Sequence, residues 1–308
     1  MTANFYGSIT ALITPFKNDE VDYAAFEKFI QWQIEEGSHG VVPSGTTGES
    51  PTLTYDETKV IFDVCVQTVK ASGKKVPVIA GTGSNSTREA IELSVMAQDS
   101  GSDALLAVAP YYNKPTQEGL YAHFKTLHDS TELPIILYNV PGRTVVEISV
   151  DTVLRLAELP RIVGLKDATA DISRTSLIKG AVKDNFSILS GEDGLAGGYL
   201  GQGAQGCISV TSNVAPKLCA DLQNAWIEKD LARFLAIQEK LAPLNKALFC
   251  ESSPSPVKYA CSKLGLCSDE VRLPLLPATA AARAAVDKAM DYAGLLDISA
   301  SGKMRASA

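Results

Sequence analysis

The feature that most constrains the fold is a series of eight short, continuously apolar segments separated by longer amphipathic ones. The eight are β-branched and bounded by Gly or Pro: SITALIT (8–14), GVVPSG (40–45), VPVIAG (76–81), ALLAVAP (104–110), PIILYNV (134–140), IVGLK (162–166), FSILSG (186–191) and GCISVT (206–211). Apolar side chains at nearly every position indicate strands buried on both faces, as in a parallel sheet. Eight such strands alternating with eight helices predict an α/β fold, a (β/α)8 TIM barrel.

The pattern changes after about residue 213, where the strand-like segments stop. Four helices are predicted there, around Lys217–Ile227, Leu231–Ala247, Pro256–Leu264 and Ala278–Tyr292. We therefore predict a barrel domain over residues 1–225, a C-terminal helical appendage over 226–298 and a disordered polar tail over 299–308. The Gly-rich loop GTGSNS (81–86) could bind an anion at a helix N-terminus, and a plain turn is the alternative.

Composition excludes several classes of function. With 45% hydrophobic residues the chain can bury a core, and its net charge of −7 argues against nucleic acid or an anionic membrane as main partner. No apolar run approaches the roughly 20 residues of a membrane helix, and no secretory leader is visible, so we expect a cytoplasmic protein. Six scattered cysteines and three histidines show no ligand spacing, so we expect reduced thiols and no metal.

The chemistry is sought at the carboxyl ends of the strands, which face the active site in barrels of this kind. Lys166 ends the sixth segment, so the strand delivers its ammonium to the barrel mouth. Burial disfavours an ammonium, so the pKa of Lys166 should fall and its neutral amine could attack a ketone to form a Schiff base. The alternative is a structural lysine that reaches water or pairs with Asp167.

Other strand ends carry groups that suit the same reaction. The Tyr138 phenol could shuttle protons. Thr46 and Thr47, between glycines, offer hydroxyl and backbone N–H groups to a small carboxylate. Arg143, after Pro-Gly, could hold a second carboxylate. Each has a structural alternative, but together they indicate an amine nucleophile, a proton shuttle and grips for small keto acids.

Six segments carry a resemblance to a known family: GTTGES (45–50), PYYNKP (110–115), LYNVPGRT (137–144), GLKDAT (164–169), SGED (190–193) and GCISVTSNV (206–214). They resemble the pyruvate-dependent class I aldolase superfamily, which includes the N-acetylneuraminate lyases, and within it the dihydrodipicolinate synthases. The match extends over the whole barrel. It implies that Lys166 forms a Schiff base with pyruvate, with no other cofactor, and that Tyr138 donates and accepts protons. Thr46 and Tyr112 would complete the relay, with Tyr112 reaching in from a neighbouring subunit.

The resemblance also implies how substrates are held. Thr47 and Ile208 would contact pyruvate, Gly191 would line the pocket, and Arg143 would grip the carboxylate of L-aspartate 4-semialdehyde. The product would be 4-hydroxy-tetrahydrodipicolinate, which feeds diaminopimelate and lysine synthesis. The family is typically a homotetramer built as a dimer of dimers.

A lysine feedback site is the last property that the family carries. The positions that match its pattern are Ser50, Asn85, Glu89 and Tyr111. Tyr55 and Thr58 stand where inhibited relatives often have histidine, so we predict weak or absent inhibition by lysine.

Two other functions stay open on the sequence. One is another pyruvate-dependent aldolase or lyase, such as a sialic acid or other sugar-acid lyase. GTTGE, where such lyases usually resemble GSTGE, and Arg143 favour the synthase. The other is a catalytically silent barrel used as a scaffold.

Overall fold

The computed structural model describes residues 5–297 and 305–306, and its centre is a barrel of eight parallel strands. The strands are β1 (Gly7–Ala11), β2 (Gly40–Val42), β3 (Ile79–Gly81), β4 (Ala104–Val108), β5 (Ile135–Asn139), β6 (Ile162–Asp167), β7 (Ser187–Ser190) and β8 (Gly206–Ser209). Their hydrogen-bonded order is β2-β1-β8-β7-β6-β5-β4-β3, and a parallel bridge between Val41 and Val78 joins the two edges. The predicted (β/α)8 TIM barrel is confirmed.

Both faces of the strands are covered, which explains the continuous apolar segments. Alternate side chains form one buried cluster inside the barrel, including Ile9, Ile79 and Ile136. The intervening ones, such as Leu105 and Leu137, belong to a second cluster that packs against the surrounding helices. The period of two along each strand therefore serves two apolar environments.

Eight helices follow the eight strands: α1 (Tyr23–Glu35), α2 (Tyr55–Ala71), α3 (Thr87–Ser100), α4 (Gln117–Ser130), α5 (Val150–Ala157), α6 (Ser173–Lys179), α7 (Ala196–Gly201) and α8 (Pro216–Ile227). Short helical turns occupy Ser50–Thr52, Pro141–Thr144, Asp193–Leu195 and Thr211–Asn213, and a hairpin pairs Phe16–Lys17 with Glu20–Val21. Helix α2 begins with a complete capping box, in which the Thr54 side chain accepts from the Glu57 N–H and Glu57 accepts from the Thr54 N–H.

The C-terminal helices are α9 (Leu231–Ala247), α10 (Ser255–Lys263) and α11 (Ala280–Tyr292). They share one hydrophobic cluster with the barrel, which joins Phe29 of α1 to Val257 and Met290. The domain boundary predicted at 225/226 falls within α8 and stays a prediction. The tail predicted over 299–308 lies outside the described residues, except for Arg305–Ala306, which pairs with Leu296–Asp297. Among the described residues, no helix has both the length and the apolar character to cross a membrane.

Candidate active site

Lys166 and Tyr138 meet at the carboxyl ends of two neighbouring strands. They are register partners of β6 and β5, and the Lys166 Nζ lies 4.1 Å from the centroid of the Tyr138 ring. Lys166 is 5% exposed and Tyr138 7% exposed. The amine is therefore held against an aromatic face in a nearly dry site, where the ring attracts it in its protonated form.

Gly191 provides the space in which the lysine side chain lies. A Cβ at Gly191 would stand 3.2 Å from Lys166 Cε and 2.8 Å from Ala168 Cβ. The Gly191 N–H donates to the Asp167 carbonyl at 2.7 Å, so the chain after β7 is held close to the end of β6. Any larger residue at Gly191 would displace its neighbours or the lysine.

A cavity of about 40 Å³ lies in front of the lysine. Lys166, Tyr138, Thr46 and Thr47 line it, together with Ala11 and Val42 from the barrel interior and other groups of β2, β3 and β4. Thr47 is 5% exposed, and Thr46 is half-buried. The structure thus brings together the predicted nucleophile, the phenol and both threonines.

The loop after β2 has a fixed conformation that presents the threonines. Its turn is closed by the Gly48 and Ser50 N–H groups, which donate to the Gly45 carbonyl at 3.1 and 3.3 Å, and by the Glu49 N–H, which donates to Thr46 at 3.1 Å. Glu49 has a left-handed backbone with φ 56. The Thr14 hydroxyl donates to the Gly48 carbonyl at 2.7 Å and fastens the loop to the barrel.

Two glycines of the Gly-rich loop 81–86 lie where packing leaves no room for a side chain. A Cβ at Gly81 would lie 2.3 Å from the Ser44 carbonyl oxygen, and one at Gly83 would lie 2.4 Å from the Val108 backbone nitrogen. These glycines allow the ends of β2, β3 and β4 to approach each other at the wall of the active-site cavity.

Other predicted residues lie further from the lysine. Tyr112 is 87% exposed with φ 72, and it lines neither this cavity nor the adjoining one. Arg143 is exposed on the turn after β5 and lines the adjoining cavity. Ile208 is fully buried in the barrel interior, in the same cluster as Tyr138. Within one chain, therefore, Tyr112 is not brought to the amine.

The adjoining cavity has a volume of about 390 Å³ and collects most of the predicted regulatory positions. Ser50, Glu89, Tyr111, Tyr55 and Thr58 all line it. The Glu89 carboxylate accepts from the Ser84 hydroxyl at 2.8 Å, so Ser86 and Glu89 form only half of a capping box, through the Glu89 N–H that donates to the Ser86 hydroxyl. Asn85 does not line the cavity, and its carbonyl accepts from the Asn113 amide at 2.9 Å. Burial and nearby Glu89 and Glu92 raise the pKa of Tyr55.

A polar network that the sequence did not reveal supports the lysine and the phenol from outside the barrel. Asp167, next to Lys166 in the chain, accepts from Arg174 Nε at 3.2 Å and from the Tyr199 hydroxyl at 3.1 Å. Arg174 Nη2 donates to the Ile148 carbonyl at 2.7 Å, and Asn139, next to Tyr138, accepts from the Ile148 N–H at 2.9 Å. One arginine therefore links the residues that follow the two catalytic candidates.

A second buried carboxylate stands on the other side of the lysine. Asp193 accepts from the Ser209 hydroxyl and from the Val210 N–H at 2.8 Å, which fixes the end of β8. Burial raises the pKa of Asp193, and burial followed by repulsion from Asp193 raises that of Glu192. The charge of Lys166 opposes both shifts. Among residues 5–297, no group of His, Cys, Asp and Glu side chains is arranged to hold a metal ion.

Comparison with known proteins gives one consistent family. The sequence model described as the Dihydrodipicolinate synthetase family matches residues 4–293. A relative from Parvibaculum lavamentivorans, named 4-hydroxy-tetrahydrodipicolinate synthase, is 56% identical over 293 residues, or 95% of this chain and 100% of the relative.

Solved structures agree with that family. The chloride-inhibited dihydrodipicolinate synthase from Acinetobacter baumannii, complexed with pyruvate, matches with a TM-score of 0.90 and 46% identity over 94% of this chain and 99% of that one. The enzyme from Cyanidioschyzon merolae with lysine bound matches with a TM-score of 0.92 and 39% identity over 96% of this chain and 100% of that one.

Proposed function

The chain belongs to the dihydrodipicolinate synthetase family, and we propose that it condenses pyruvate with L-aspartate 4-semialdehyde at the barrel mouth through a Schiff base on Lys166. The activity is that of a 4-hydroxy-tetrahydrodipicolinate synthase, a lyase of diaminopimelate and lysine biosynthesis. The observation that carries the mechanism is the Lys166 Nζ held 4.1 Å from the Tyr138 ring centroid in a site closed to solvent.

The reaction begins when the neutral Lys166 amine attacks the keto carbon of pyruvate. Loss of water gives an imine, and loss of a methyl proton gives an enamine that attacks the aldehyde carbon of the second substrate. The amino group of that substrate then attacks the imine carbon, closes the ring and releases Lys166. Tyr138 stands against the lysine and carries protons to and from the carbinolamine oxygen.

The cavity walls supply the binding groups. Thr47 and the backbone of its loop hold the pyruvate carboxylate, and Gly191 and Ile208 shape the space around the keto acid. Arg143, at the rim, pairs with the carboxylate of the semialdehyde, for which a guanidinium is a suitable bidentate partner. Support for this division comes from the two adjoining cavities, one at Lys166 and one at Arg143.

Tyr112 joins the relay with Thr46 and Tyr138 from a second subunit. Its 87% exposure and left-handed backbone at φ 72 suit a residue that a partner chain covers. We infer a cytoplasmic homotetramer arranged as a dimer of dimers, without a metal or other cofactor.

Inhibition by lysine is weak or absent in this proposal. Tyr55 and Thr58 line the adjoining cavity, where histidines would offer ring nitrogens to a bound lysine. Activity measured against increasing lysine concentration checks this, and potent inhibition would contradict it.

Reductive trapping tests the central step. Incubation with pyruvate and borohydride should add the mass of one reduced pyruvate to the peptide that contains Lys166. Lys166→Ala should give no adduct and lose turnover while remaining folded, and Lys183→Ala, which removes an exposed lysine, should behave as the parent. If the parent chain were not modified, the scaffold alternative would be supported. If the adduct formed but pyruvate condensed only with sugar aldehydes, the chain would be a sugar-acid lyase.

A further inference from the structure

The loop that presents Thr46 and Thr47 is held from behind by a buried ion pair between Glu49 and Lys258. We propose that Glu49 and Lys258 are positioning residues that fix this loop for pyruvate binding. The inference rests on the proposed function, since it assigns the loop to the pyruvate carboxylate. It also gives the C-terminal appendage a part in the chemistry of the barrel.

The pair is fully removed from solvent. Lys258 Nζ lies 2.5 Å from Glu49 Oε1, and the two side chains are 0% and 1% exposed. Such a pair contributes little net stability, because removing two charges from water costs about as much as their attraction returns. Apolar residues of similar volume would stabilise the fold at least as well, so stability alone does not account for the charges. What the pair does provide is a buried contact that links the loop to α10.

Glu49 belongs to the turn that presents the threonines. Its N–H donates to the Thr46 carbonyl, and its own carbonyl accepts from the Thr52 N–H at 3.0 Å and the Thr52 hydroxyl at 3.0 Å. With φ 56, its backbone lies in a region that non-glycine residues seldom occupy. Releasing the carboxylate would therefore allow Glu49 to relax and Thr46 to move with it.

Lys258 is itself fixed by the C-terminal segment. It lies on α10, donates to the Glu270 carbonyl at 2.7 Å and stands 3.9 Å from the centroid of the Phe16 ring. The second oxygen of Glu49 accepts from the Arg272 N–H at 3.0 Å. Two separate points of the appendage therefore grip one carboxylate of the active-site loop.

Arg272 extends the grip to the far end of the loop. Its guanidinium donates to the Thr52 carbonyl at 2.9 Å and to both oxygens of Glu57, the capping residue of α2, at 2.8 and 2.6 Å. The loop is thus tied to the appendage at Glu49 and again at Thr52, while the threonines line the cavity.

The test compares substrate binding in variants of the full-length enzyme. In Lys258→Met and in the double variant Glu49→Gln/Lys258→Met, we expect the KM for pyruvate to rise about tenfold while the KM for the semialdehyde stays within about twofold. Borohydride should still trap the imine at saturating pyruvate. The double variant leaves no unpaired buried charge and keeps an acceptor for the Arg272 N–H, so it remains informative if the single variant does not fold.

A matched control separates positioning from loss of stability. Val286→Ala removes a fully buried side chain from α11 without touching the loop, so it should lower the melting temperature and leave the KM for pyruvate unchanged. A folded double variant with the parent KM for pyruvate would overturn the proposal. If the parent enzyme itself formed no imine, the proposed function would fail instead, which distinguishes the two.

Discussion

At the scale of single residues, the proposed site depends on Lys166, which is buried and forms no ion pair with a carboxylate in the part of the chain that the structure describes. Two neighbouring carboxylates are engaged elsewhere: Asp167 with Arg174 and Tyr199, and Asp193 with the end of β8. A direct ion pair with a carboxylate would favour the charged form of an amine, whereas the Lys166 Nζ faces the Tyr138 ring instead. Gly191 has no side chain, and this leaves space for the Lys166 side chain.

Arg143 gives the first prediction at this scale. Arg143→Ala should raise the KM for the semialdehyde by about 10- to 100-fold. It should leave imine formation with pyruvate intact, because the exposed Arg143 lines the adjoining cavity and not the cavity at Lys166. Steady-state kinetics in both substrates, with borohydride trapping, checks this. Arg143→Lys keeps the charge but not the bidentate geometry, so its KM for the semialdehyde should lie between those of the parent enzyme and Arg143→Ala. Loss of the imine in Arg143→Ala would show that the assigned role is wrong.

At the scale of elements, the barrel keeps its active strands aligned by contacts on their outer side. Arg174 of α6 forms ion pairs with Asp167, at the end of β6, and with Glu147, in the segment that follows β5. It also donates to the Ile148 carbonyl in that segment. Asn139 reaches the same segment from β5. The relative position of Tyr138 and Lys166 is thus determined by a helix and a loop as well as by their own register.

Arg174→Met should therefore affect both stability and turnover. Removing the guanidinium leaves Asp167 buried without its cation, which we expect to lower the free energy of unfolding by about 3 kcal/mol and kcat by about tenfold. Urea unfolding and kinetics at saturating substrates measure the two effects. Arg155→Met is the matched control, because its pair with Glu118 is solvent-exposed and should leave both quantities unchanged. Unaltered turnover in a destabilised Arg174→Met would restrict the arginine to a structural role.

The contact between α3 and α4 predicts a dependence of stability on pH. His123 is 4% exposed, its Nδ1 lies 2.9 Å from the Thr87 hydroxyl, and burial lowers its pKa to about 4. The unfolded chain binds a proton at this residue near pH 6.5 and the folded chain does not, so stability falls as pH drops from 6.5 towards 4. His123→Gln should remove about 2 kcal/mol of that loss. Urea unfolding between pH 7 and pH 4 checks this, and parallel curves for both proteins would contradict it.

At the scale of the whole molecule, local patterns predicted the architecture and the placing of Lys166 and Tyr138 at the barrel mouth, but not the buried ion pairs behind them. Continuous apolar segments are enough to indicate strands covered on both faces, and position at a strand end is enough to place Lys166 and Tyr138 side by side at the barrel mouth. The capping box at Ser86 forms only by half because the Ser84 hydroxyl, five residues before Glu89 in the chain, donates to the Glu89 carboxylate. The Glu49–Lys258 and Asp167–Arg174 ion pairs could not be predicted, because nothing in the local sequence distinguishes these residues from surface charges.

Tyr112 is exposed and does not line the cavity at Lys166 of its own chain, so its proposed role leads to a prediction about the assembly. If one subunit supplies Tyr112 to the Lys166 of its partner, Tyr112→Phe and Lys166→Ala are defective in different halves of the same composite site. Each variant alone should be nearly inactive. In a mixed dimer, the site that contains the intact Lys166 receives the intact Tyr112, and about half of the sites should recover.

Coexpression of the two variants with different tags, followed by purification through both, provides the measurement. Specific activity well above that of either parent variant is expected, with borohydride trapping confined to the chains that carry Lys166. A double variant Tyr112→Phe/Lys166→Ala coexpressed with itself sets the background. No recovery in a mixed assembly of proven composition would place Tyr112 and Lys166 in the same chain's site, and high activity of Tyr112→Phe alone would place Tyr112 outside the relay. Recovery would establish that the exposed tyrosine of one subunit completes the chemistry of another.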